Sequence, residues 1–133
     1  MSDPLLQYLD MKTQLKAVDS KPMNAALTLR NAELTATQLQ QPLYKASLLL
    51  LICEQLVETQ PPRAKTLHAQ IDIHLLETIE APSARRVVAK WWEVKSRFED
   101  RERVMSLREA ILRYRSVGCP NRARMLSRRL HSV

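Results

Sequence analysis

One glycine among 133 residues, Gly118, is the first constraint this chain places on its own fold. Glycine takes positive φ without steric cost, and the tight turns of hairpin-rich sheets depend on it. A chain with one glycine is therefore poorly equipped to build such sheets. It also lacks phosphate-cradling loops of the GxGxxG and GxxxxGK[ST] types, which need several glycines so that backbone amides can approach a nucleotide. Nucleotide enzymes of those classes are excluded.

Cysteine is nearly as scarce. Cys53 and Cys119 stand far apart, and Cys53 lies in the apolar run 48–53, where a buried free thiol is the ordinary state. The histidines His68, His74 and His131 show no paired spacing with each other or with the cysteines, so no structural zinc is expected. No glutamate has a histidine three residues later, which removes the helical di-iron motif. His68 with Asp72, and His74 with Glu77, share helix faces and read as solvated surface pairs. No local pattern of nucleophile and oriented base is visible. The expectation is a protein that is not an enzyme and carries no metal or cofactor.

Long apolar stretches are missing too. No segment approaches the length needed to cross a bilayer, and the start Met1-Ser2-Asp3-Pro4 has no basic region followed by an apolar one. A cytoplasmic protein without a transmembrane segment is expected.

What is present points to helices. Aromatics make up only 5% of a chain that is 45% hydrophobic and 26% charged, and Ala, Leu, Gln, Glu, Lys and Arg, which lose little rotamer freedom in a helix, dominate. This length can bury a core without disulfides. The fold class expected is all-α: a compact bundle of five to six helices forming a single domain over 1–133, with a basic subdomain from about residue 83 as the alternative division.

Proline supplies the punctuation that glycine does not, because it fits the first turn of a helix and breaks the interior. Asp3 and Pro4 open a first helix carrying Leu5, Tyr8, Leu9, Leu15 and Val18. Ser20 and Pro22 open a second, with Met23, Ala26, Leu27, Arg30 and Leu34 along one face and Leu39 near its end. A third begins near Pro42 and is apolar all round through Leu56 and Val57, which marks it as the central element. Gln60-Pro61-Pro62 stops it, and from Pro62 a fourth helix begins, whose stripe Ala64, Leu67, Ile71, Leu75, Leu76 and Ile79 runs to Ala81-Pro82.

From Ser83 to Val117 there is no proline or glycine. The spacing predicts one long helix of about 50 Å if straight. Trp91, Phe98, Met105 and Leu112 recur every seven residues, accompanied by Val87, Val94, Arg101, Arg108 and Arg115, so the seam begins apolar and becomes arginine-lined. Val104, Leu107, Ile111 and Tyr114 form a second apolar face, rotated from the first, and a bend around Glu99 to Glu102 is the alternative to continuity. Gly118 fits the position just past a helix end, and a short basic helix over 122–130 follows, with Ala123, Leu126 and Leu130 on one face.

Charge separates the two halves. Residues 1–84 carry 7 basic and 9 acidic side chains, whereas 85–133 carry 14 basic and 5 acidic. Glu93, Glu99, Asp100, Glu102 and Glu109 alternate with bases at helical spacing and read as a solvated, salt-bridged face. After Glu109 there is no acid at all, and the cations are arginines, whose planar fork matches phosphate and carboxylate oxygens in two-point contact. Arg113, Arg115, Arg122, Arg124, Arg128 and Arg129 are therefore the candidate anion-binding residues.

A helix-turn-helix around Gly118 fits poorly, with Tyr114 where a small residue is usual and Arg124 where an apolar one is. The function expected is a binding module whose C-terminal half grips a nucleic-acid phosphate backbone. The alternative is a protein-protein adaptor, secretion chaperone or assembly factor, dimeric or bound to an acidic protein partner, with Trp92, Arg101 and Arg108 at the interface. Trp92 has three roles open to it, in this order: completing the core, meeting a partner, or stacking on bases. Attachment to anionic membrane is the third and weakest reading.

Overall fold

The computed structural model describes residues 3–17, 25–98 and 100–132. They form helices only: α1 (Pro4–Lys16), α2 (Ala25–Gln38), α3 (Pro42–Leu56), α4 (Pro61–Ala69), α5 (Ile73–Glu77), α6 (Pro82–Ser96), α7 (Arg103–Ser116) and α8 (Pro120–His131). The all-α class stands, but with eight helices among the described residues rather than five or six. Val18, Met23, Glu99 and the expected start of the second helix at Ser20 and Pro22 lie outside the described residues. The chain divides into two compact units, Met1–Leu67 and His68–Val133.

In the first unit α1, α2 and α3 pack against one another. Proline occupies the first turn of α1 and α3, as the sequence indicates. Asp3 caps α1 by accepting from the Leu5 amide at 2.9 Å, and Gln41 caps α3 by accepting from the Leu43 and Tyr44 amides, which satisfies donors a helix start leaves open. Helix α3 buries Ala46, Leu48, Leu49, Leu50, Ile52, Cys53 and Leu56, and each of its large aliphatic side chains contributes about 1.5 to 3 kcal/mol by leaving water. Tyr8 stacks on Tyr44 at 5.2 Å between ring centres and shares a 2.7 Å hydrogen bond with Ser47.

The buried face of α2 differs from the expected one. Ala32 and Ala36 are fully enclosed, while Ala26, Leu27, Arg30 and Leu34 are exposed. Small side chains permit closer helix approach than leucine does, so the alanine stripe, not the more hydrophobic one, faces inward. On α1, likewise, Tyr8, Met11 and Leu15 are buried and Leu5 and Leu9 are exposed.

The second unit begins within the last turn of α4. The fourth segment is not one helix, because Asp72 accepts from the Leu75 amide at 3.1 Å and starts α5 as its cap. The long helix expected over Ser83–Val117 is also two helices. Helix α6 ends at Ser96 and α7 begins at Arg103. In the turn between them Asp100 accepts from the Glu102 amide at 2.9 Å, a local bond that competes with helical pairing, and Phe98 is buried with its ring edge-on to His68.

Helices α6 and α7 fold back on each other as a hairpin, tied by Lys95–Glu102 at 2.6 Å near the turn and Tyr114–Glu93 at 2.9 Å further along. The fold-back breaks the seven-residue seam. Val94 and Phe98 are buried, whereas Met105 is 50% exposed and Leu112 59%. The inward face of α7 is the rotated one, Leu107, Ile111 and Tyr114 with Ser106 and Ala110, while Val104 is left exposed.

Gly118 has φ 75°. The Cys119 amide donates to the Tyr114 carbonyl at 2.8 Å and the Gly118 amide to that of Arg115 at 3.2 Å, the two bonds that close a helix through a left-handed residue. This closure turns α8 back onto α7, where Ala123 and Leu126 join Ala89, Leu107, Ala110, Ile111 and Tyr114 in one core cluster, flanked by Trp92, Cys119, Met125 and Leu130.

Candidate anion-binding surface

The first effect of the α8 docking is to use up an arginine. Arg122 grips Glu93 with its fork: Nε donates to Oε1 at 2.8 Å, and the terminal nitrogen Nη2 donates to Oε2. Tyr114 donates its hydroxyl to the same Oε1 at 2.9 Å, and Lys90 lies 3.9 Å away. The Glu93 side chain is 1% exposed, which corrects its expected place on a solvated face. Burial works to raise its carboxyl, but the Arg122 hydrogen bonds, the Lys90 and Arg122 charges and the Tyr114 hydroxyl together hold it below the ordinary carboxylate range. The same surroundings, burial first and the Glu93 charge second, push the Tyr114 phenol up.

Arg113 is occupied as well. It lies 3.5 Å from Glu77 and 3.7 Å from Glu109, and its guanidinium sits over the Trp92 ring at 5.8 Å. It helps to line a cleft of about 410 Å³ with Leu76, Ile79, Glu80, Arg85 and Val88 among its walls. Trp92 itself is half-buried, edge-on to Trp91 at 4.9 Å, with Lys95 over its face at 5.3 Å. It packs against the core cluster of the second unit.

Four of the six expected anion ligands remain. Arg115, Arg124, Arg128 and Arg129 are exposed and form no ion pair among the described residues. Arg124 and Arg128 stand one turn apart on the outer face of α8, with Asn121 on the same stripe and Arg129 and His131 beside it. No exposed apolar side chain interrupts that face. Arg101 and Arg108 are likewise exposed, in the turn before α7 and on its outer side.

A second cluster was not visible in the sequence. His68, expected on the surface with Asp72, is buried and stacked on Trp91 at 4.5 Å. Its Nε2 lies 3.0 Å from the Trp91 carbonyl oxygen, which can only accept, so the proton is on Nε2. Burial, with a smaller contribution from the Lys95 charge, lowers the imidazole below its ordinary range despite that bond.

Among the described residues no helix is long and apolar enough to cross a membrane. No protein family, no curated protein and no solved structure matches the chain.

Proposed function

We propose that this chain is a non-enzymatic helical binding module whose outer α8 face, Arg124, Arg128 and Arg129 with Arg115 at the end of α7, holds a nucleic-acid phosphate backbone. One observation carries the reading: a helix whose inner face is consumed by the core turns outward a surface of arginines with no carboxylate among them. Helix stabilisation offers a simpler use for Arg128 and Arg129, which lie in the last turn where cations offset the helix dipole. It does not account for Arg124 in the first half of α8 or for the absence of any acid after Glu109. Arg122 is left out of the contact set because its fork already holds Glu93, and Arg113 because it is paired with Glu77 and Glu109.

Phosphate contacts release counterions, so binding by four arginines gives a log-log salt slope of about three to four on duplex DNA, at roughly 0.9 per contact. Fluorescence anisotropy with a labelled duplex and a labelled single-stranded RNA, titrated in rising salt, measures it. Absence of binding to either at low salt, or affinity indifferent to salt, removes the reading.

A further inference from the structure

The outer face of α7 is different in kind from that of α8. Its inward face is filled by Ser106, Leu107, Ala110, Ile111 and Tyr114. Turned away from the core are Val104, Met105 and Leu112, all exposed, with exposed Arg108 among them and exposed Arg101 in the turn just before. Met105 and Leu112 are seven residues apart, two turns or about 10 Å along the axis. That is the repeat at which one helix seats another. The one acid on α7, Glu109, lies against Arg113, and neither Arg101 nor Arg108 has an ion pair among the described residues.

We infer that this face of α7 is a docking surface for an amphipathic helix of another protein, one with a narrow apolar stripe bordered by Asp or Glu. The apolar spacing selects a helix, and the bordering guanidinium groups select its charge. A phosphate backbone has no use for three solvent-facing apolar side chains. A second copy presenting this same face would bring arginine against arginine, which is repulsive. A bilayer would receive only three apolar side chains from a helix whose other face is already packed, too little to hold it. The inference is independent of the phosphate reading of α8, which uses different residues.

The test uses two labelled helical peptides with the same leucine seam, one bordered by glutamate and one by lysine. Full-length protein is titrated into each by fluorescence anisotropy. The glutamate peptide is expected to bind and the lysine peptide not. Met105→Gln with Leu112→Gln, both at exposed positions, weakens binding by roughly tenfold or more, the loss that about 1.4 kcal/mol of contact gives. Arg101→Glu with Arg108→Glu reverses the preference toward the lysine peptide. Circular dichroism confirms that each variant stays folded, and unchanged duplex DNA binding by the glutamine pair keeps this result separate from that of α8. Equal binding of both peptides, binding of neither, or binding insensitive to Met105 and Leu112 overturns the inference. So does self-association in sedimentation, or capture on phosphatidylserine vesicles, that depends on those two residues.

Discussion

Arg122→Leu tests how α8 is fixed. The substitution removes both donors of the fork and leaves Glu93, 1% exposed, with the Tyr114 hydroxyl and a distant Lys90. Removing one partner of a buried ion pair costs 3 to 5 kcal/mol in general; because the Arg122 side chain is itself 35% exposed, water already reaches one side, and about 3 kcal/mol is the better figure. Both tryptophans, Trp91 and Trp92, lie in the second unit, so urea unfolding followed by tryptophan fluorescence reports on the affected part. Glu93→Gln keeps an acceptor for Tyr114 and for Arg122 and should cost less than Arg122→Leu. The double variant should fall short of the summed losses by about 1 to 2 kcal/mol, as coupled groups do.

The pH dependence supplies a sign that packing alone cannot imitate. The folded Glu93 carboxyl lies below its ordinary value of 4.5, so the stability it contributes is present above that value and is lost as pH falls through the folded one. In Arg122→Leu the main lowering influence is gone and burial dominates, so acid relieves the penalty there. The gap between wild type and Arg122→Leu should therefore shrink from pH 7 to pH 4. A gap below about 1 kcal/mol at pH 7, or one that does not change with pH, would refute the account of α8 docking.

Three further outcomes follow from the structure. The His68 imidazole is lowered from 6.5, so the neutral ring is favoured in the fold and stability declines as pH falls below about 6.5; His68→Gln should flatten that decline in chemical denaturation measured between pH 7 and 5. Cys53, whose thiol burial pushes up to about 12 and which is enclosed, should resist alkylation at pH 8 until the first unit unfolds, whereas half-buried Cys119 reacts earlier, as mass spectrometry of timed samples can show. Gly118→Ala meets no neighbouring atom within 4 Å but must hold φ 75°, so it should cost about 1 to 2 kcal/mol in urea unfolding from backbone strain alone.

The helical class and the proline-marked starts of α1 and α3 were legible because proline and the lack of glycine act locally, residue by residue. Gly118 at the end of α7 and the arginine face of α8 were legible for the same reason. The break between Ser96 and Arg103 was legible only as the alternative, a bend around Glu99 to Glu102 where the apolar face rotates, since Arg97 to Glu102 holds no residue that forbids a helix; Phe98 packing on His68 and the Asp100 turn decide it together. Periodicity then misplaced Met105 and Leu112, because a seven-residue series continues only as long as the helix does. Glu93 was hidden by its partner, which lies 29 residues on. Its spacing from Ala89, one turn earlier on a buried face, was the only local hint. Arg122 could not be separated from Arg124 by composition. Only the placement of α8 divides the arginine that holds the fold from those that face outward.

Whether the outward arginines of α8 meet phosphate is tested by the salt dependence of duplex DNA affinity for wild type against Arg124→Ala/Arg128→Ala/Arg129→Ala, with Arg63→Ala in the first unit as control. If they do, the log-log slope is lower by about 2.7 for the triple variant, at roughly 0.9 per lost contact, and unchanged for the control. Equal slopes for all three proteins would contradict that contact.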